Sequence, residues 1–494
     1  MCKTCEQGGC ATSNSDKPDP TIGFARDANT IGDAALAAVF WWAMAIDTDA
    51  ARRAAFVPGA GSAPFAIERA DGAYLITPDG RRILDAAGGA IVVNIGHGRR
   101  EVAEVAARAL EELTYVVPTF ATEAKTRLVE RLTERWLPRG LTRASFTSGG
   151  SESVEAAIRL ARLHHVSAGR PARWKVIGRE LSYHGITLAA LAVGGHAPRR
   201  KDYEPLLIAF PKAPAHYCLE CSLGRHSDGC RERAADRLEE VILREGPDSV
   251  AAFIAEPVVG SAAGALVPPD GYWPRVAEIC RKYGVLLIAD EVMCGFGRTG
   301  EKFAVDHWGV VPDIMVAGKG LAGGYAPIGG VYATDDVVAP IAERGEDLMF
   351  YTFTAHPAAC AVADKVLEIM EREDLVARAK AMGDVLSKRL SRLANHPNVA
   401  EVRGLGLMQA VEIVRDRDSL ERFPGEERIT RRIVAAGLGK GVFFYPAGSS
   451  PAQDVIMLGP PFIITEDEIE QLVMVLEESI DAAVSRGSAP AQSK

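Results

Sequence analysis

From about residue 98 onward, the chain alternates short apolar runs with longer segments in which apolar residues recur every three or four positions. Residues 123–136 show helical spacing, because Leu128, Leu132 and Trp136 lie on one face of a helix. Alternation of this kind predicts a mainly parallel sheet that is covered by helices on both faces. The predicted strands are residues 143–147, 175–178, 250–255, 285–289 and 314–317, and the predicted helices include residues 101–113, 155–164 and 272–283.

The two ends of the chain follow other patterns. Residues 1–20 are polar and cysteine-rich without periodicity, which predicts disorder. Residues 34–46 are predicted to form a short buried helix, and residues 73–89 alternate around a Pro-Asp-Gly turn, which predicts a β-hairpin. The C-terminal part is predicted to contain long amphipathic helices, a strand pair over residues 402–413 and a closing helix over residues 466–484.

These patterns predict an α/β protein with a mainly parallel central sheet and a smaller α+β domain. A chain of 494 residues is long enough for two such domains. We expect residues 98–347 to form the large domain and residues 348–494 the C-terminal small domain. Residues 21–97 are expected to contribute to the small domain, after the disordered segment 1–20.

Composition narrows the class of protein. The net charge of −9 disfavours binding to nucleic acid and to anionic membrane surfaces. The longest apolar run, residues 34–46, is shorter than the roughly 20 residues that a membrane-spanning helix needs. The first residues do not have the basic and then apolar character of a secretory signal, so we expect a cytoplasmic protein.

The nine cysteines include two clusters. An odd number of cysteines without a secretion signal favours reduced thiols. Each cluster contains a Cys-x-x-Cys pair and a third cysteine, so the two groups together could bind zinc or an iron–sulfur cluster. The alternative, which we favour, is a frayed terminus and a polar loop without metal. The two clusters are Cys2, Cys5 and Cys10, and Cys218, Cys221 and Cys230.

Asp290 and Lys319 carry the most informative chemistry. Asp290 comes directly after one predicted strand, and Lys319 comes two positions after the next. Ligands of open α/β sheets bind at the carboxyl ends of the strands. A carboxylate there favours the protonated form of a pyridine nitrogen, and a lysine can form an imine with an aldehyde. The pair predicts a site for pyridoxal 5'-phosphate, although each residue alone is also compatible with a helix cap or a surface turn.

Two earlier segments offer contacts for a phosphate and an aromatic ring. Gly150 and Ser151 lie in a Gly-Gly-Ser turn before a predicted helix, where backbone N–H groups and the helix dipole suit a phosphate. Tyr183 and His184 follow a predicted strand, and either ring could stack on a cofactor. A partly buried aromatic pair is the alternative interpretation of the second segment.

Three further residues complete the set of candidates. Glu256 ends a strand, where it could orient a ring hydroxyl or form a structural salt bridge. Val292 is two residues after Asp290 and could pack on the ring or simply belong to the core. Thr352 precedes a predicted helix, where its hydroxyl could hold a phosphate oxygen or act as a turn residue.

The same segments resemble one known family. They are SGGSESVEAAIRLAR, SYHG, AEPV, LLIADEV followed by MCGFGRTG, PDIMVAGKGLAGGYAPIGG and TFTAHPAACA. From about Ala63 to Val484, the chain is similar to the class III, or ω-type, aminotransferases, which are pyridoxal-phosphate enzymes of fold type I. The block of residues 289–330 is the most specific part of this resemblance.

The resemblance implies a homodimer with active sites that are shared between subunits. By this resemblance, Lys319 is linked to the cofactor as an aldimine and later moves a proton, and Asp290 pairs with the pyridine nitrogen. The resemblance also implies ring contacts from Val292, Tyr183 and His184, phosphate contacts from Gly150, Ser151 and the other subunit's equivalent of Thr352, and support near the ring hydroxyl from Glu256.

The expected activity is amino-group transfer by a ping-pong mechanism, from a primary amine or ω-amino acid to a keto acid or aldehyde. A racemase, decarboxylase, aminomutase or phospholyase on the same scaffold remains an alternative, as does a non-catalytic pyridoxal-phosphate-binding protein. Two departures bear on the substrate. Ile91 stands where the family often has an aromatic pocket wall, and Tyr445 stands where it often has a mobile arginine for a substrate carboxylate. Arg403 is a candidate to replace that arginine.

Overall fold

The computed structural model describes residues 66–217, 219, 233–346 and 348–485. Contacts divide the chain into two units, Met1–Ala66 and Ile67–Lys494, and the description here concerns the second unit. The predictions for residues 1–20, for the helix at residues 34–46 and for the two cysteine clusters lie outside the described residues. Within the described ranges, no group of three or more His, Cys, Asp or Glu side chains could hold a metal ion.

The strands are numbered in chain order. They are β1 (Arg69–Asp71), β2 (Tyr74–Ile76), β3 (Arg82–Asp85), β4 (Leu141–Thr147), β5 (Lys175–Arg179), β6 (Lys212–Ala213), β7 (Val250–Ala255), β8 (Leu286–Asp290), β9 (Ile314–Ala317), β10 (Gly329–Thr334), β11 (Val399–Leu405), β12 (Met408–Ile413), β13 (Val442–Phe443), β14 (Tyr445–Ser449) and β15 (Ala452–Leu458).

The helices are numbered in the same way. They are α1 (Gly88–Ile91), α2 (Arg100–Glu112), α3 (Glu123–Arg131), α4 (Gly150–Ser167), α5 (Leu188–Val193), α6 (Ala197–Arg200), α7 (Asp236–Glu245), α8 (Tyr272–Tyr283), α9 (Asp335–Glu343), α10 (Pro357–Arg372), α11 (Leu375–Leu390), α12 (Ile429–Gly439) and α13 (Glu466–Ser485). A π-helical turn, Leu132–Trp136, extends α3, and a 3₁₀ turn, Lys319–Leu321, follows β9.

The central sheet has seven strands in the order β4-β10-β9-β8-β7-β5-β6. Strands β5 to β9 pair in parallel, whereas β10 is antiparallel to both of its neighbours. Every residue of β7, β8 and β9 is buried, as expected for strands that are covered on both faces. The prediction of a mainly parallel sheet is therefore confirmed, and the carboxyl ends of β7, β8 and β9 meet at one edge.

Two smaller sheets lie outside the central one. The predicted hairpin is present, since β2 and β3 pair antiparallel with Tyr74 opposite Leu84. Strand β13 joins β3 in parallel, so this N-terminal sheet includes residues from the C-terminal part of the chain. Strands β11, β12, β15 and β14 form an antiparallel sheet that contains the predicted strand pair. These pairings agree with a small domain built from both ends, and its exact boundaries stay a prediction.

The five strands predicted for the central sheet are all present, whereas its strands β6 and β10 were not predicted, and neither were β1, β13, β14 and β15. The predicted bounds of β7, β9 and α8 agree at both ends, and the other three strands predicted for the central sheet differ by at most two residues at an end. Strand β10 was missed because it begins with Gly329 and Gly330, which suggest a turn. None of the described helices combines the length and the apolar character that crossing a membrane requires.

Candidate active site

The candidate site lies at the carboxyl ends of β8 and β9. Asp290 is the last residue of β8 and pairs with Val316 of the parallel strand β9. Only Gly318 separates β9 from Lys319, the first residue of the following 3₁₀ turn. The two strands therefore bring a carboxylate and an amine to the same edge of the sheet, where α/β proteins bind ligands.

Three backbone segments approach one another closely at this edge. A Cβ atom placed on Gly318 would lie 3.6 Å from the backbone nitrogen of Gly150 and 3.6 Å from Cγ1 of Val292. A Cβ atom on Gly150 would lie 2.8 Å from the same Val292 side chain, which is too close for a real contact. Glycine is therefore required at residue 150, and the turn before Lys319, the start of α4 and Val292 form one continuous surface.

Lys319 is held in an unusual state. Its backbone has φ of 39°, in the left-handed region that non-glycine residues rarely adopt. Its amine forms no hydrogen bond or ion pair with another described residue. Burial lowers the pKa of Lys319 to about 8, although the nearby Asp290 and Glu256 carboxylates act in the opposite direction. About a tenth of this amine is therefore neutral, and nucleophilic, at pH 7, which is far more than for a lysine of ordinary pKa.

Asp290 is oriented by two partners. Its Oδ2 atom lies 2.6 Å from Nδ1 of His184, and its Oδ1 accepts the backbone N–H of Val292 at 3.0 Å. Both the His184 and Asp290 side chains are almost fully buried. His184 thus fixes the position of the carboxylate, a role that differs from the ring-stacking contact considered for it from the sequence.

Glu256 is buried next to the backbone of Tyr183. One carboxylate oxygen accepts the N–H of Tyr183 at 3.1 Å, and the other accepts the N–H of Gly260 at 2.9 Å. Burial, supported by the negative charge of Asp290, raises the pKa of Glu256 above its usual value. The carboxylate therefore fixes the loop that carries Tyr183, whose ring is only half-buried.

The start of α4 carries Gly150 and Ser151. Oγ of Ser151 accepts the N–H of Ile186 at 3.2 Å, so the loop that carries His184 is tied to this helix start. Gly185 is needed here, because its φ is 128° and a Cβ atom would lie 2.5 Å from Oγ of Ser151. The N–H groups of the first turn of α4 are free of intrahelical partners, as at any helix start.

Thr352 lies apart from this cluster. It belongs to an exposed segment, and its backbone carbonyl accepts a hydrogen bond from the Tyr115 hydroxyl at 3.0 Å. None of the described contacts joins it to Lys319, Asp290 or the start of α4. The remaining predicted site residues are therefore brought together within one chain, and Thr352 is not.

Sequence reasoning missed one residue that supports the Lys319 turn. Asn94 is almost fully buried, and its side-chain amide donates to the carbonyl of Gly320 at 2.8 Å. A Cβ atom on Gly323 would lie in contact with the Asn94 oxygen. Asn94 follows a short apolar run far from Lys319 in sequence, so no local pattern indicates this contact.

Residues 56–480 match the family model for class III aminotransferases. The chain belongs to the class III aminotransferases. Members of this family are pyridoxal-phosphate enzymes of fold type I, which agrees with the sheet and the site described above. The chain is accordingly an aminotransferase that uses an amine donor.

Several characterised relatives cover most of the chain. The putrescine–pyruvate aminotransferase of Pseudomonas aeruginosa is 36% identical over 84% of this chain and 90% of its own length. The taurine–pyruvate aminotransferase of Rhodobacter capsulatus is 38% identical over 82% of this chain and 88% of its own length. These two relatives have donors with different charge, so the family assignment does not define the amine.

Solved structures agree with the fold. An (S)-enantioselective ω-transaminase from Thermomicrobium roseum has a TM-score of 0.84 at 38% identity, and the match covers 88% of this chain and 98% of that one. An ω-transaminase from Pseudomonas jessenii in complex with PMP has a TM-score of 0.84 at 31% identity, and the match covers 89% and 98% of the two chains.

Arg403, the candidate residue for binding a substrate carboxylate, has another role in this aminotransferase. Its guanidinium pairs with Glu412 and Glu401, each at 2.6 Å, and donates to the carbonyl oxygens of Gly264 and Ala263. Each of its three nitrogen atoms donates to a partner within the protein. The suggestion that Arg403 grips a substrate carboxylate is therefore wrong for this arrangement.

The two positions that depart from the family also have defined surroundings. Ile91 is almost fully buried, and a Cβ atom on Gly459 would lie 2.7 Å from its Cδ1 atom. Tyr445 is half-buried on β14 and packs against the same apolar cluster as Ile91 and Tyr183. Ile91 thus packs inside the protein, whereas Tyr445 remains partly exposed.

The residues present fit pyridoxal phosphate. An amine without a partner, an oriented carboxylate and a helix start with free N–H groups occur around one surface, and the glycines there allow close approach of backbone. Each matches one part of the cofactor, namely its aldehyde, its ring nitrogen and its phosphate.

Proposed function

We propose that this chain binds pyridoxal phosphate through Lys319, Asp290 and the start of α4, and that it transfers an amino group from a primary amine or ω-amino acid to a keto acid or aldehyde. The contact between Gly318, Gly150 and Val292 supports this proposal most, because it joins the three segments that carry the required groups. The remaining site residues would complete the cofactor's surroundings.

The phosphate would be held at the start of α4. Gly150 and Ser151 provide backbone N–H groups at the positive end of an 18-residue helix, together with a hydroxyl. A phosphate there would add charge-assisted hydrogen bonds without requiring a basic side chain. Thr352 of the other subunit is proposed as a further phosphate contact.

The ring would lie between Val292 and Tyr183. Asp290 would face the ring nitrogen and favour its protonated form, and His184 would keep the carboxylate in place. Glu256 would support the ring hydroxyl side through the loop that carries Tyr183. These contacts would fix the cofactor's orientation relative to Lys319.

Lys319 would be the residue that moves protons. When bound, pyridoxal phosphate supplies an aldehyde for amines and a ring that stabilises negative charge on the neighbouring carbon. The lowered pKa of Lys319 makes Nζ a base near neutral pH, so Nζ can take the proton from the substrate carbon that carries the amino group. Lys319 is half-buried, and this limits the access of water to its amine.

The names of two relatives support the proposed substrates. One relative is named for putrescine and the other for taurine, and both names include pyruvate. A primary amine donor and a keto acid acceptor are common to both. We therefore propose the same two substrate classes for this chain.

A homodimer with shared sites is also part of the proposal. The segment around Thr352 exposes Met349, Phe350 and Phe353, whose exposed fractions are 76%, 52% and 58%. Exposed apolar side chains so close together are typical of a protein interface. We expect sedimentation equilibrium to give twice the 52.8 kDa mass of one chain. The mass of a single chain at micromolar concentration would contradict this part of the proposal.

The proposed activity is tested by half-reactions of the purified holoenzyme. Addition of an amine without acceptor should convert bound pyridoxal phosphate to pyridoxamine phosphate, which is measured by absorbance and by chromatography of the released cofactor. Lys319→Ala should slow this conversion by at least about a thousandfold, because the proton-transfer group is lost. Lys388→Ala removes an exposed lysine and is the matched control.

Two results would contradict the proposal. Undiminished conversion in Lys319→Ala would show that another residue moves the proton. Turnover of an amino compound without any pyridoxamine phosphate would instead favour a racemase, decarboxylase, aminomutase or phospholyase on the same scaffold.

A further inference from the structure

A polar cleft adjoins the proposed cofactor site. It has a volume of about 570 Å³ and lies between the segment that follows Tyr183 and the C-terminal part of the chain. The hydrogen bond from the N–H of Gly448 to the carbonyl of Ser261, at 2.8 Å, joins its two walls. The residues that line the cleft include His196, Arg199, Ser261, Arg428, Thr430, Arg431.

The cleft is lined by three arginines and by no acidic residue. None of Arg199, Arg428 and Arg431 forms an ion pair with another residue in the described part of the chain. Arg432, the next residue along, differs because it pairs with Glu427 at 3.8 Å. We call this surface the arginine cleft, and it concentrates positive charge that no described carboxylate neutralises through an ion pair.

The local structure adds to this positive charge. Arg428 precedes α12, Arg431 lies in its first turn, and that turn contains no acidic residue. Helices usually place acidic residues at this end, because the helix dipole is positive there. Two arginines at this end repel the dipole, and an anion bound between them would relieve the repulsion.

Two buried polar groups in the walls also lack partners. Nδ1 of His196 and Oγ of Ser261 have no hydrogen-bond partner among the residues that the structure describes, and both side chains are more than nine-tenths buried. Burial lowers the pKa of His196 to about 4, so the ring is neutral near pH 7 and the arginines supply the charge. A buried polar group without a partner is costly and commonly marks a ligand or water position.

The arginine cleft borders the ring of Tyr183, which the proposed function places against the cofactor. The guanidinium carbon of Arg199 lies 4.2 Å from the centre of the Tyr183 ring, and the His196 ring packs edge-on against the same ring. Pro446, the residue after Tyr445, also lines the cleft. A substrate that reacts near Lys319 and extends past Tyr183 would therefore point its far end toward the arginines.

We propose that the arginine cleft binds an anionic group at the end of the substrate remote from the reacting carbon, so that Arg428 and Arg431 determine specificity for ω-amino acids and related anionic amines. This inference rests on the proposed aminotransferase function. Arginine recognises carboxylate, sulfonate and phosphate groups through paired N–H donors. The positive lining also disfavours diamines, whose far end is cationic.

The test compares donors that differ only in their far end. Half-reaction rates of the holoenzyme are measured with a series of ω-amino acids, with alkylamines of matching length and with the corresponding diamines. In the native enzyme, the specificity constant should be highest for the ω-amino acid and lowest for the diamine. The preference for the anionic donor should decrease as salt concentration rises, because the charges of the cleft are screened.

The variant Arg428→Gln/Arg431→Gln should lower the ratio of specificity constants, ω-amino acid to alkylamine, by about tenfold or more. This is the scale expected for loss of a charge-assisted hydrogen bond. The loss should appear mainly in the concentration that gives half-maximal rate, since the cleft binds a group remote from the chemistry. Arg428→Lys/Arg431→Lys should restore part of the ratio. Arg417→Gln, in the same part of the chain but outside the cleft, is the control.

Two outcomes separate failure of this inference from failure of the proposed function. If all donors react and the ratio is the same in the double variant and in Arg417→Gln, the inference is overturned and the aminotransferase function stands. If no amine changes the bound cofactor, both are overturned. A native preference for diamines would also overturn the inference.

Discussion

Arg403 and Lys319 are two cations removed from water, and they are treated in opposite ways. Arg403 is surrounded by partners, with Glu412 and Glu401 at 2.6 Å and two backbone carbonyls. Burial opposes its charge, but the two carboxylates outweigh burial and raise its pKa above the usual value. Lys319 has no such partner, and its pKa is lowered to about 8.

The difference indicates which cation is structural and which is reactive. An arginine paired in this way stays charged, and four of the five N–H donors of Arg403 are already used within the protein. A lysine without a partner can lose its proton and react with an aldehyde. The number of partners, and not burial alone, therefore distinguishes the two roles in this protein.

The largest effect on stability is expected from Arg403→Met. This change removes one of the two arginines that pair with the buried Glu412, and because Arg422 stays paired with it at 2.6 Å we expect a loss of about 3 kcal/mol, the lower end of the range for breaking a buried ion pair. Lys319→Met removes a cation that has no ion pair, so its effect should stay within about 1 kcal/mol or be stabilising. Urea unfolding of the cofactor-free proteins measures both values under the same conditions.

Arg417→Met provides a baseline for this comparison, because Arg417 forms no ion pair within the described residues and lies outside the arginine cleft. Its free energy of unfolding should match that of the native chain within about 0.5 kcal/mol. An equal loss of stability in Arg403→Met and Lys319→Met would remove the distinction between the two cations.

The contrast between Arg403 and Lys319 also shows which parts of the site can be predicted from the sequence. Asp290 and Lys319 were found because each follows a buried apolar strand, and strand ends in a parallel sheet share one edge. Arg403 was misjudged because its partners are remote in sequence: Gly264 and Ala263 lie about 140 residues earlier. No pattern within β11 shows that its guanidinium is already occupied.

His184 and Asn94 show the same limit. His184 was predicted to lie at the site and contacts Asp290, but this hydrogen bond spans 106 residues and was not predicted. Asn94 contacts Gly320 across 226 residues and was missed altogether. Local patterns thus predict the elements and the edge where the site lies, whereas the partners of each polar group depend on how distant segments pack.

The arginine cleft shows a third arrangement of cations. Its arginines are close to water and form no ion pair with another described residue. Arg428 and Arg431 are exposed, so leaving them without carboxylates costs the protein little. Arg403 needs its ion-pair partners because it is buried. Lys319, at the proposed site of reaction, has no ion-pair partner among the described residues. Position relative to water and to other charges thus separates structural, reactive and recognition roles among these cations.

The smallest and most specific effect concerns pH. Covalent capture of pyridoxal phosphate by the cofactor-free enzyme requires the neutral amine of Lys319, which is present above its pKa and protonated below it. With a pKa of about 8, the capture rate should rise about tenfold per pH unit up to that value and level off above it. Stopped-flow absorbance over a pH series measures this profile.

Two variants are the controls for this profile. Lys388→Ala should leave the midpoint unchanged, and Lys319→Arg should abolish capture. A rate that still rises steeply above pH 9 would mean that Lys319 has an ordinary lysine pKa and that burial does not prepare it for reaction.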